Sequence, residues 1–197
     1  MDGSIFRWVN RLADHTGWAH GFFRFYADAG IVVLAALLLV AFLDGRRRAD
    51  RREVAGALGA GAAALAGLGL AQVVGGFVDR ARPYTTMANV HLLVDRTTDF
   101  SFPSDHATVA GAVAVGLLLA NRTWGRLAIG AALLMAFTRV YVGAHYPGDV
   151  LAGLALGAAT ALAVHLVVVP VVVRLVERLA PTPVGRLVTV AGPTTER

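Results

Sequence analysis

Thr138-Arg139-Val140-Tyr141-Val142-Gly143-Ala144-His145-Tyr146-Pro147-Gly148-Asp149 is the stretch on which the reading of this chain turns. It places an arginine, a histidine and an aspartate in order at the junction of two long apolar runs. An ionisable side chain beside a membrane span is costly, so it marks a functional candidate by default. The Pro147-Gly148 pair sets these groups where one helix stops and the next starts. Two partner fragments lie upstream, Arg80-Ala81-Arg82-Pro83 and Phe102-Pro103-Ser104-Asp105-His106, and each also falls at the end of an apolar run.

The runs themselves imply a membrane protein. Of 197 residues, 56% are hydrophobic and 16% are charged, too little charge for an ordinary soluble domain. There is no cysteine, which excludes disulfide frameworks, thiolate metal clusters and a thiol nucleophile. All 18 basic residues are arginines, and the net charge is +5. The arginines are dispersed among apolar spans, which fits loops beside a bilayer better than a nucleic-acid surface.

Taken in order, residues 4–13 put Ile5, Trp8, Val9 and Leu12 on one helical face, as in a short interfacial helix. Five spans follow, at about 25–43, 54–78, 107–120, 127–142 and 150–173. At ~1.5 Å per residue, ~20 residues cross the hydrocarbon, so the third and fourth need flanking residues to reach. The second is rich in glycine and alanine, and Gly153 and Gly157 recur in the fifth; small residues permit close helix contact in lipid. The expected architecture is all-α: a bundle of five or six helices forming one domain over residues 1–180, with 181–197 as a tail. Trp8, Trp18 and Trp124 suit an interfacial belt. His165 is read as structural; His15, His20 and His91 lack partners in sequence, though His91 and Arg96 stand in a loop that faces the same side as the three fragments.

Alternation of spans brings those three fragments to one membrane face. The opposite face holds the loop 44–52 with five arginines, and Arg122, Arg126, Arg174, Arg178 and Arg186. Arginine-rich short loops stay cytoplasmic, so the candidate site is expected to face outward from a multi-pass cytoplasmic-membrane protein. Arg7, Arg11 and Arg24 oppose this assignment and are outnumbered.

The chemistry of the fragments is that of a bound phosphate. Guanidinium forks bind tetrahedral oxyanions in bidentate fashion. Pro103-Ser104-Asp105-His106 reads as a helix start, where free N–H groups and the dipole favour an anion. His145 and Asp149 stand four apart, so a carboxylate can fix one ring nitrogen and leave the other to attack. His106 remains to protonate a leaving group. Each residue also has a plainer reading, as an interfacial anchor for Arg80 or an N-cap for Ser104. A metal held by His106, His145 and Asp149 is the rival chemistry, opposed by arginines that repel a cation.

These motifs resemble the three-part signature of the type 2 phosphatidic-acid-phosphatase superfamily: Arg82-Pro83, then Pro103-Ser104-Asp105-His106, then Arg139-x5-His145-x3-Asp149. The resemblance covers roughly residues 72–150 and implies a helical membrane phosphatase that needs no cofactor. It implies that His145 becomes phosphorylated, Asp149 orients it and His106 is the general acid. It also implies that Arg82, Ser104 and Arg139 cradle the phosphate, with Arg80, Pro83 and Asp105 adjoining them. Departures are Gly75 where the family has lysine, Asp105 for glycine and Thr138 for serine; Gln72 or Arg80 stands as the replacement donor. The Pro-Ser-Asp-His version and the Arg-x-Arg-Pro ending look most like bacitracin-resistance-type undecaprenyl-diphosphatases. Phosphatidic acid and phosphatidylglycerol phosphate stay open as substrates, and a non-catalytic lipid-phosphate binder is the reading from another class. The expected partners are a lipid phosphate and the membrane, without nucleic acid; a homodimer stays open.

The cysteine-free chain makes the outward orientation measurable. An impermeant thiol reagent on intact cells is expected to label Thr86→Cys and to spare Ala49→Cys; the reverse pattern inverts the topology.

Overall fold

Small residues let four long helices pack around a shorter central one. The computed structural model of the chain describes residues 1–179, all of whose regular elements are helical. They are α1 (Asp2–His15), a 3-10 turn (Gly17–Ala19), α2 (His20–Arg47), α3 (Arg51–Val78), the short α4 (Pro83–Thr86), α5 (Asp105–Ala120), α6 (Arg122–Tyr141), α7 (Pro147–Val167) and α8 (Val169–Leu179). The expected tail at 181–197 lies outside the described residues.

Local chemistry fixes the helix ends that matter. Asp50 caps α3 by accepting from the backbone N–H groups of Arg52 and Glu53. Asn121 caps α6 in the same way on Thr123 and Trp124. Pro147 opens α7 in its first turn, where its missing N–H costs nothing. The expected fifth span, 150–173, is divided: α7 ends at Val167 and a separate α8 begins at Val169. Pro170 sits in the first turn of α8, where its ring is tolerated, and it cannot continue the hydrogen-bond ladder of α7.

Among the described residues, three helical stretches are long and apolar enough to cross a membrane: Gly17–Arg47, Arg51–Thr86 and Pro147–Val167. α5 is a shorter apolar helix, and α6 lies beside it. Leu65, Leu151 and Leu166 are 75%, 66% and 66% exposed, an outward apolar surface suited to lipid chains. The inner faces are nearly all small. A Cβ added at Gly111 would collide with the backbone of Leu154, one at Gly157 with the Thr108 carbonyl, and one at Gly153 with the Ser104 carbonyl. The α5–α7 seam is therefore backbone against backbone, which van der Waals contact rewards where lipid supplies no hydrophobic drive.

α1 packs across the ends of α6 and α7. It turns Phe6, Val9, Asn10 and Ala13 inward and leaves Ile5 and Trp8 exposed. The apolar stripe expected from sequence is thus split, with one part docked on the bundle and one part facing out.

The seam gives a quantitative expectation. Gly157→Leu should cost about 1–3 kcal/mol and lower Tm in detergent by roughly 2–12 °C. Gly69→Ala, where a Cβ meets nothing within 4 Å, should leave Tm unchanged or raise it. Equal behaviour of the two variants would sink the close-packing account.

Candidate active site

The turn between α6 and α7 folds back on the end of α6. The backbone N–H groups of Ala144 and His145 both donate to the Arg139 carbonyl, at 3.1 and 3.2 Å. Gly143 permits this with φ +81, a value that L side chains rarely adopt. A Cβ there would also crowd the His91 carbonyl at 2.8 Å. Asn10 of α1 braces the same turn, donating to the carbonyls of Tyr141 (3.0 Å) and His91 (2.8 Å).

This geometry aims the side chains of Arg139 and His145 into one cavity of about 350 Å³, shared with Arg82 and His106. Three sequence fragments, expected to share a membrane face, thus meet at a single pocket. Arg82 and Arg139 are each only 7% exposed. Arg139 reaches the Ala27 carbonyl at 3.4 Å, and its Nε has no hydrogen-bond partner. Burying two like charges side by side is expensive unless an anion joins them. Arg82 donates through Nη2 to Asp99 Oδ2 at 3.0 Å and through Nη1 to His145 Nε2 at 3.1 Å.

The tautomer of His145 follows from its neighbours. Its Nδ1 lies 2.8 Å from the Ser101 carbonyl, which can only accept, so Nδ1 carries the hydrogen. Nε2, facing the Arg82 donor, keeps its lone pair on the cavity side. Burial, then the charges of Arg139 and Arg82, hold the ring well below the usual histidine range. His145 is therefore neutral across the physiological range, the form able to attack an electrophile. The ring of His106 also lines the cavity and has no side-chain hydrogen bond among the described residues.

Asp149 does not contact His145 directly: its Oδ2 stands 4.0 Å from Nδ1. Instead it accepts from Ser101 Oγ at 2.5 Å, from the Tyr146 N–H at 2.9 Å and from Arg80 Nη1 at 2.6 Å. The orienting bond expected from the four-residue spacing is made by the Ser101 carbonyl, because the loop before α5 inserts between the two side chains.

Other expected residues fall at varied distances from the pocket. Asp105 lines it and accepts from Gln72 Nε2 at 2.7 Å. Ser104 caps α5 fully buried; its N–H donates to the Asp149 carbonyl at 3.0 Å, and its hydroxyl has no partner. Pro83 is the buried start of α4 and places Tyr84, a lining residue. Arg80, expected beside the phosphate, lies outside the cavity, its guanidinium occupied by Asp2 and Asp149 at 2.6 Å each. Of the two donors offered for the family lysine, Arg80 is thus committed elsewhere and Gln72 reaches only Asp105. Gly75 faces the loop instead: a Cβ there would meet the Phe102 carbonyl at 3.1 Å and the Phe100 ring at 3.2 Å.

Sequence reasoning missed Ser101, Asp99, Tyr84 and the α2 pair Ala27 and Asp28, all lining or bracing the site. Ser101, two residues before Pro103, had proximity to a motif as its only signal. The α2 pair had none. His91, read as partnerless, pairs with Asp14 at 2.8 Å.

The His145 environment predicts its titration. Desolvation and two arginines favour the neutral ring, so protonation must lie below the ordinary value of about 6.5. Ring NMR should find His145 still neutral at its ordinary pKa of about 6.5, and Arg82→Gln should move its protonation upward by removing one repelling charge. A ring half-protonated near pH 6.5 in the unsubstituted protein would contradict the geometry.

Comparison with known proteins identifies the family. Residues 56–172 match the PAP2 superfamily. Undecaprenyl-diphosphatase BcrC of Bacillus subtilis (strain 168) is 34% identical over 154 residues, covering 78% of this chain and 77% of that protein. The putative undecaprenyl-diphosphatase YbjG of Escherichia coli (strain K12) is 30% identical over 165 residues, 83% of this chain and 81% of the relative. Among solved structures, Aquifex aeolicus LpxE superposes with a TM-score of 0.66 at 25% identity, over 83% of this chain and 93% of that one. The chain belongs to the PAP2 superfamily and is a membrane-embedded phosphoric-ester hydrolase.

Proposed function

We propose that this lipid phosphatase cleaves undecaprenyl diphosphate, or a closely related lipid phosphate, through a phosphohistidine on the extracytoplasmic face. The observation that carries the reading is the cavity in which a neutral buried His145 faces His106 between two buried arginines. Undecaprenyl-diphosphatase relatives that align over most of this chain support the substrate class. The arginine-rich loop 44–52 on the opposite face supports the orientation.

The terminal phosphoryl group enters between Arg82 and Arg139, displacing Asp99 from the Arg82 fork. Burial alone would raise Asp99, but the Thr97 hydrogen bond and the Arg82 charge outweigh it and hold the carboxyl below its ordinary value. Asp99 is thus an anionic occupant of that fork at working pH, and the incoming phosphate takes its place. His145 Nε2 attacks phosphorus as the bond to the leaving oxygen breaks, His106, charged beside the bound phosphate, gives that oxygen its proton, and Arg139 and Arg82 neutralise the spreading charge. The Nδ1 proton stays on the ring throughout, hydrogen-bonded to the Ser101 carbonyl. Water then attacks the phosphohistidine, its proton passes to His106, and inorganic phosphate leaves with His145 neutral again.

Leaving-group chemistry tests the division of labour between the histidines. A diphosphate expels a phosphate monoester with a relevant pKa of about 6; phosphatidic acid expels an alkoxide whose conjugate acid is about as weak an acid as water. His145→Ala should abolish phosphate release from both, in detergent with EDTA present. His106→Ala should reduce turnover of the lipid monoester by the larger factor, with an excess approaching ~10²–10⁴. Equal losses would make His106 a phosphate ligand. Turnover of phosphatidylglycerol phosphate in preference to undecaprenyl diphosphate would reassign the substrate.

A further inference from the structure

A continuous polar chain runs from the first turn of α1 to the candidate nucleophile. Asp2 Oδ1 accepts from the Gly148 N–H at 2.9 Å, and Asp2 Oδ2 pairs with Arg80 Nη2 at 2.6 Å. Arg80 passes to Asp149 Oδ1 through its other terminal nitrogen, at 2.6 Å. Asp149 Oδ2 holds the Ser101 hydroxyl at 2.5 Å, and the Ser101 carbonyl holds His145 Nδ1 at 2.8 Å. Ser101 is itself tied back, its N–H donating to the Arg80 carbonyl at 2.8 Å. The Arg80 guanidinium lies over the Tyr146 ring, 4.1 Å from its centre, so its plane is fixed as well as its ends.

We propose that Asp2, Arg80 and Ser101 are positioning residues for His145, acting through Asp149, so that seating α1 on the catalytic turn is a condition for turnover. This rests on the reading of His145 as nucleophile. Three features favour positioning over plain scaffolding. Arg80 is the one arginine of its fragment turned away from the cavity, and it bridges two carboxylates where a lysine point charge would reach both less well. Asp149 is fully buried, so its charge needs the Arg80 cation, and a tilt of that carboxylate moves Ser101 and the imidazole together. Gly148 leaves room for Asp2: a Cβ there would stand 2.9 Å from Asp2 Oδ2, displacing the carboxylate. Because α1 carries Ile5 and Trp8 exposed on its outer side, the relay joins a membrane-facing helix to the reacting nitrogen.

The test compares Asp2→Asn, Gly148→Ala, Arg80→Gln, Arg80→Lys and Ser101→Ala in the full-length solubilised protein. Expected is a kcat loss of up to ~10²-fold, the scale of an ångström misplacement, with KM within about twofold. Arg80→Lys should recover part of the loss seen in Arg80→Gln, and Gly148→Ala should behave as Asp2→Asn does. The independent readout is solvent exchange of the His145 Nδ1 proton by NMR, expected at least about tenfold faster in Arg80→Gln and Ser101→Ala. Unchanged exchange in both, or a uniform loss that tracks the folded fraction without rescue by Arg80→Lys, overturns the proposal. If the unsubstituted protein releases no phosphate from any lipid, the functional reading falls, while the proton exchange still decides whether the relay holds the ring.

Discussion

The Asp149 carboxylate is the interaction on which the site depends. It is fully buried, and it gathers a cation from the end of α3, a hydroxyl from the loop before α5 and the first N–H of its own helix. Its backbone carbonyl takes the N–H of Ser104, the cap of α5. One residue therefore ties the ends of three helices together. A buried carboxylate left without those donors would be strongly unfavourable, so the arrangement tends to be made in full or not at all. That is a physical reason for a rigid floor beneath a reactive histidine.

Above that floor, the cavity sets two buried guanidiniums among the carboxylates of Asp28, Asp95, Asp99 and Asp105. Arg82 is shared between Asp99 and His145, whereas Arg139 finds only a long contact to a carbonyl. The helices that carry these groups are held elsewhere, by the α5–α7 seam and by the core around Leu34, Leu117 and Met135. Stability comes from the small-residue interior, and the unsatisfied donors are left to a ligand. The depressed basicity of His145 has the same origin, since the burial and the arginines that favour an anion also disfavour an imidazolium.

The Gly75 position illustrates how a change in a motif can be absorbed by backbone. Where the family has a long cationic side chain, this chain brings the loop at Phe100 and Phe102 against α3. The same loop carries Asp99 and Ser101, one on Arg82 and the other between Asp149 and His145. The loop that fills the space at Gly75 thus also supplies the carbonyl that holds His145 Nδ1.

Much of this was legible in the sequence. Apolar run lengths gave an all-helical membrane bundle, and alternation placed the arginine and histidine fragments on one side, because span order leaves no other arrangement. The motif residues Arg82, His106, Arg139 and His145 meet as their types and positions suggested. The break at Val168 was hidden because Pro170 is tolerated in a first turn as readily as it ends a helix. Tertiary structure alone decided the rest: the 4.0 Å gap between Asp149 and His145, the turning of Arg80 toward Asp2, and the entry of α2 into the cavity wall. Local periodicity sets which residues share a helix face. Contacts between residues nearly eighty or more apart, such as Arg80 with Asp2, depend on how helices cross, and that was set by which side chains were small enough to let backbones touch.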